Sequence, residues 1–256
     1  MRAVIKIGTS TLTHPSGCLN VRCTENLCKI LSDLKNMGNE IIMVSSGAIG
    51  MGVGKLSLKA KPKDIPTKQA AAAVGQCELM YTYDKMFSEY NHTIAQILIT
   101  GDDFSHEDRH ANFVNTLEKL LEVGALPIIN ENDTVATDEI KVGDNDTLSA
   151  YVAKSVHADL LIILSDIDGL YTADPHTDSS AHLIEYVEEL TPETISLGEG
   201  AGSPLGTGGM KTKLEAAAIC TGAGCEMVIM NGKDPSLLYD VFDGKSVGTR
   251  FKAVKK

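Results

Sequence analysis

The feature that most constrains this chain is a series of short apolar runs that do not alternate with polar residues. AVIKI (3–7), EIIMVSS (40–46), TIAQILIT (93–100), ALPIIN (125–130), DLLIILS (159–165) and the run at 225–230 are each about one strand long. A strand with one wet face alternates apolar and polar residues, whereas a strand covered on both faces does not. Between the runs lie segments with helical spacing, such as Leu27, Ile30, Leu31 and Leu34 in a predicted helix at 24–37 that Gly38 stops. Further helices are expected at 67–90, 108–123, 147–157 with Thr147 as N-cap, 210–223 and 235–241. Strand–helix alternation from end to end predicts an α/β fold with a mainly parallel sheet. The segment 172–182 reads as a polar loop, and 172–209 as a turn-rich region suited to hairpins.

In such folds ligands gather beyond the C-terminal ends of the strands. The polar clusters of this chain lie there: GTS after the first strand, SSG after the second, NEND after a middle one, SDIDG after a later one. GTGGMKTK (206–213) has glycines that let the backbone approach a ligand, a helix N-terminus that attracts anions, and Lys211 and Lys213 beside it. A plain loop before a helix is its other reading. Lys6 lies inside an apolar strand, which is costly unless its charge is used or the strand is an edge. SSGAIG (45–50) is either an anion-binding turn with Ser46 or a tight strand–helix turn. Asp133, Asp144, Asn145 and Asp146 form the densest polar group, suited to holding an amino group, orienting lysines or lying near magnesium; a solvated turn is the alternative.

Several classes are disfavoured. Thirty-four acidic against 23 basic residues give a net charge of −11, which repels nucleic acid and anionic lipid while allowing a few lysines to make one pocket positive. No apolar run reaches the roughly 18–20 residues of a membrane span, and the N-terminus lacks a signal-peptide pattern, so a cytoplasmic location is expected. The six cysteines form no CxxC, and reduced, mostly buried thiols are expected. GVGKL (52–56) fails as a P-loop because Leu56 stands where Ser or Thr is required, and no G-x-G-x-x-G occurs. HEDRH (106–110) matches the zinc-protease spacing, but its polar setting reads as a solvated helix start.

Taken in order and spacing, KIGTS, VSSGAIG, KQAAAAVGQ, INENDTVATDEIKVGDNDTLSA, SDIDGLYTADP and GTGGMKTKLEAA resemble the amino acid kinase family. INEND, KVGDND, GLYTADP and GTGGM-x-TK resemble its glutamate-acting branch more than those acting on acetylglutamate, aspartate, carbamate or UMP. The resemblance reaches about GTRF (248–251) and implies one domain over 1–256, a three-layer α/β/α sandwich, without the RNA-modification-type (PUA) domain of many bacterial members. It implies ATP-dependent phosphorylation of the side-chain carboxylate of L-glutamate, the first step of proline biosynthesis, with Mg²⁺ and with feedback inhibition by L-proline. A homo-oligomer is expected. By resemblance, Lys6 and Lys213 contact phosphate and Asp146 orients them. Ser46, Asp133 and Asn145, with Asp144 close by, bind glutamate. Ser165 and Asp166, and the loop Thr207, Gly208, Gly209, Met210, Lys211, Thr212 and Lys213, bind the nucleotide.

Overall fold

The apolar run at 159–165 becomes β5 (Leu160–Ser165), buried at every position. β1 (Arg2–Ile7) and β2 (Glu40–Ser45) are each buried at all but the first residue. These three are central in one sheet of the computed structural model, which describes residues 1–14, 18–60, 62–136, 145–175, 177–198 and 209–254. With β3 (Ile94–Ile99), β4 (Leu126–Glu131), β6 (Tyr186–Val187), β7 (Glu226–Asn231) and β8 (Thr249–Phe251), the described strands run in the order β3-β4-β2-β1-β5-β7-β8-β6. Pairing is parallel from β3 to β7; β8 turns antiparallel to β7, and β6 lies parallel to β8.

Strand parity sorts the core into two layers. Val4, Ile42, Val44, Ile129, Leu161 and Ile163 face α6 (Glu107–Glu122), α7 (Asn145–Ser155) and α9 (Met210–Gly222). Ala3, Ile5, Ile7, Ile41, Met43 and Ile162 face α2 (Val21–Asn36), α4 (Ile65–Ser88) and α10 (Leu237–Phe242). The three-layer α/β/α sandwich follows. Among the described residues no helix is long and apolar enough to cross a membrane.

Local chemistry sets the helix ends. Asn20 Oδ1 accepts from the Cys23 N–H, so α2 begins earlier than the apolar spacing suggested. Asp64 caps α4 in the same way, with proline in its first turn. α7 begins at Asn145, so Thr147 lies inside its first turn and is not its N-cap. The turn-rich region forms one antiparallel bridge, Tyr171 with Leu183, around the polar loop; β6 then pairs with β8 instead of closing a hairpin. Short helices α1 (Thr9–Leu12), α5 (Gly101–Ser105) and α8 (Pro192–Ser196) carry no periodic signal and were not expected.

HEDRH does open a helix. His106 is the N-cap of α6; its Nδ1 lies 2.9 Å from Asp102 O, while His110 Nε2 lies 2.7 Å from Ser155 Oγ. Among the described residues no three His, Cys, Asp or Glu converge on a metal position. No disulfide joins the six cysteines, and four of them are buried.

α3 (Ala48–Lys55) and α4 touch backbone to backbone. A Cβ on Gly75 would stand 1.8 Å from Ala48 O, and one on Gly52 would stand 1.8 Å from Ala71 O. Gly75→Ala is therefore expected to cost about 3 kcal/mol, the upper end for an overpacked core. A urea midpoint equal to that of the wild type would show that the helices can separate at no cost.

Candidate active site

The C-terminal ends of β1, β2, β4 and β5 meet the N-termini of α7 and α9. Lys6 shares the parity of Val4, so its side chain leaves β1 on the face covered by α7 and α9. There it meets Asp146, the second residue of α7, and Lys213, in the first turns of α9. Asp146 Oδ1 pairs with Lys6 Nζ, and Oδ2 lies 3.1 Å from Lys213 Nζ. All three are buried, at 7% exposure for Lys6, 0% for Asp146 and 5% for Lys213. Burial pushes the Asp146 carboxyl up, but the two ammonium groups outweigh it and hold the group at about 2. The trio carries one net positive charge inside a strongly acidic chain, so it can receive an anion.

Thr212 belongs to the same cluster. Its Oγ1 lies 3.1 Å from Asp146 Oδ2 and 2.9 Å from the Gly209 carbonyl oxygen, tying the start of α9 to α7. Gly209 is the N-cap of α9, whose first-turn N–H groups have no acceptor within the helix and suit an anion. Met210 buries its side chain in the core and Lys211 is exposed. Ser165 ends β5 with its Oγ 3.2 Å from Asp166 Oδ1. Asp144, Thr207 and Gly208 lie outside the described residues.

Asn145 is turned from Asp146 by the roughly 100° that separates adjacent residues on a helix, and meets other partners. Its Nδ2 lies 2.9 Å from Ser45 O, 2.7 Å from Ser46 Oγ and 3.0 Å from Asn130 Oδ1. The start of α7 thus joins two subsites, one cationic and one lined by amides and hydroxyls. Ser46 precedes Gly47, whose φ of 98° requires glycine and turns the chain into α3. Asp133 lies half-buried in the turn after β4, lining a small cavity with Ala48, Ala72 and Gln76.

Two members of this second subsite escaped sequence reasoning. Asn130 opens NEND, but the cluster by itself assigns it no partner. Gln76 ends KQAAAAVGQ, in which nothing local names its partner. Asn130 Nδ2 donates to Gln76 Oε1 at 2.9 Å, and both side chains are buried. Asp168, the second acid of SDIDG, is a further junction in the turn after β5, accepting from Asn231 Nδ2 at 2.7 Å and Tyr171 Oη at 3.1 Å.

The chain is similar to known proteins over nearly all of its length. The model of the amino acid kinase family matches residues 1–231. The glutamate 5-kinase of Clostridium tetani is 57% identical over 98% of this chain and 94% of its own length. That of Caldanaerobacter subterraneus is 52% identical over all of this chain and 68% of its own length. In fold, carbamate kinase from Giardia lamblia bound to AMP-PNP superposes with a TM-score of 0.71 at 14% identity, over 99% of this chain and 98% of that one. The chain therefore belongs to the amino acid kinase family and, within it, to the glutamate 5-kinases.

Proposed function

We propose that this chain transfers the γ-phosphoryl group of ATP to the side-chain carboxylate of L-glutamate, giving L-glutamyl 5-phosphate for proline biosynthesis. The observation that carries the reading is the buried Lys6–Asp146–Lys213 trio, placed one residue from the Asn145–Ser46 subsite. Lys6 and Lys213 contact the transferring phosphoryl group, and Asp146 sets their spacing. Ser46, Asp133, Asn145 and Asp144 hold the amino acid. Ser165, Asp166 and the segment from Thr207 to Lys213 hold the nucleotide.

The carboxylate oxygen attacks phosphorus in line, the O–P bond forms, and the bond to the bridging oxygen breaks, with ADP taking the electron pair. The nucleophile is already ionised at neutral pH, so no proton moves and no general base is needed. Asp146, held ionised between two lysines, is a poor base and a good spacer. The obstacle is repulsion: a singly charged carboxylate about 3 Å from a doubly charged phosphoryl group costs on the order of 11 kcal/mol at an effective dielectric of about 20. Two ammonium groups and the first turn of α9 offset it electrostatically.

The described residues do not build a resident magnesium cage, since no three acids converge and Asp146 is committed to the lysines. Magnesium would enter on the triphosphate, as is usual for this ion. L-Proline keeps the α-amino and α-carboxyl groups but lacks a side-chain carboxylate, so it would compete at the amino-acid subsite as a feedback inhibitor. A cytoplasmic homo-oligomer belongs to the same reading.

The test is ADP release with glutamate, acetylglutamate and aspartate, with hydroxylamine trapping the labile acyl phosphate. Glutamate should win and yield the hydroxamate; a preference for another acceptor would overturn the assignment. Asn145→Ala is expected to raise the glutamate KM roughly 10- to 100-fold, the worth of hydrogen bonds to a charged ligand, while the ATP KM stays within about twofold. A change confined to the ATP KM would move the acceptor elsewhere.

A further inference from the structure

Gln76 sits on α4 directly after Gly75, where the backbone contact with α3 fixes its Cα position. It is buried, at 7% exposure, and its side chain reaches the end of β4. Backbone groups fix the orientation of every amide in the network. The Glu131 N–H donates to Asn130 Oδ1 at 2.9 Å, so Asn130 must present its NH₂ to Gln76. Asn145 must likewise present its NH₂ to Ser45 O, which can only accept. Gln76 Oε1 is thereby the acceptor for Asn130 Nδ2. Flipping Gln76 would set two NH₂ groups against each other.

Among the described residues Gln76 Nε2 is left as a buried donor without a partner. Native structures seldom leave such a donor unused. It lines a cavity of about 10 Å³ together with Ala48, Ala72, Asn132, Asp133 and Thr134, which is room for a single oxygen-sized group. Gln76 at this cavity is joined through Asn130 to Asn145, the chain neighbour of the Asp146 that pairs with the two lysines. An extended acceptor with its reacting carboxylate at Lys6 and Lys213 would bring its opposite end here.

We propose that Gln76 is a specificity-determining residue whose Nε2 donates to the α-carboxylate of the acceptor amino acid. The inference rests on the acceptor site assigned above. Gln76 closes the KQAAAAVGQ segment, which gives it no role; the orphaned donor and the locked network do. Asp133, at the same cavity, is then placed for the neighbouring ammonium group, so that the two ends of the zwitterion are read by opposite chemistries.

The test compares glutamate with its α-carboxamide as acceptors, scored by ADP release and hydroxamate formation. Gln76→Glu keeps the oxygen that accepts from Asn130 and replaces the aimed donor by a carboxylate oxygen. The glutamate KM should rise by about 30-fold or more, with the ATP KM unchanged, as one charge-assisted hydrogen bond becomes a repulsion. The ratio of kcat/KM for the α-carboxamide over glutamate should rise at least about tenfold, because the amide can donate to the introduced carboxylate. A folded Gln76→Glu protein with a glutamate KM within about twofold of wild type and the same ratio would overturn the proposal and leave Gln76 as a water ligand. If that variant fails to fold, Gln76→Met carries the test: a glutamate KM raised about tenfold supports the inference, and one within about twofold sinks it. Failure of the function itself is distinct, since wild-type protein would then form no hydroxamate from glutamate.

Discussion

Lys213→Ala is expected to lower kcat by about 10²–10³ while leaving the fold intact, by analogy with the loss of one preorganised donor to a developing anion. The lysine is buried and aimed by Asp146, so its charge acts where little water screens it. Removing it still leaves Asp146 paired with Lys6, so no orphaned carboxylate is created and the melting temperature should move little. The glutamate KM should change less than kcat, because the lysine acts mainly on the charge that develops in the transition state. A kcat near that of wild type would remove Lys213 from the phosphate-contacting pair.

Asp146→Asn should have the larger effect on stability. It leaves two buried ammonium groups facing each other with no counter-charge, and breaking a buried ionic cluster in this way costs about 3–5 kcal/mol. The penalty depends on pH in a defined direction. The native carboxyl is held at about 2, below its ordinary value of 3.8. Its contribution is therefore complete above the ordinary carboxylate range and is lost as pH falls through about 2. Urea unfolding of wild type and variant should differ by a constant amount from neutral pH down to about 4, and the gap should then narrow towards about 2. A gap that first opened near neutrality would place the effect on another group. Activity should fall with stability, through misplaced lysines. Because the attacking carboxylate needs no base, the pH–rate profile of any residual activity should lose no limb attributable to Asp146.

Much of the scaffold could be read from local pattern. Continuous apolar runs at 40–46 and 159–165 announce strands covered on both faces, and each became a central strand. The edges were harder. β6 and β8 are two and three residues long, and their pairing comes from distant chain, so no local period marks them. The limits of α2 and α7 moved because a cap depends on which side chain reaches which N–H, a matter of backbone geometry that composition does not encode.

The candidate site divides along the same line. Parity alone sends Lys6 to the face of Val4, and the position of Asn145 beside Asp146 ensures that the two diverge from the start of one helix. Those facts concern neighbours in the chain, where covalent geometry leaves few choices. That Asp146 Oδ1 and Oδ2 each find a lysine, from residues 6 and 213, was decided by the crossing of α7 and α9 over β1. The amide line from Asn145 through Asn130 to Gln76 joins three separate elements. Its unpaired end depends on α4 being pressed against α3 at Gly75. The sheet, its two covered faces and the strand ends where polar residues collect follow from period and burial along the chain. Which polar groups meet, and which donor is left over, depends on how remote elements pack, because hydrogen bonds act over about 3 Å and nothing local in a chain sets distances between remote residues to that tolerance.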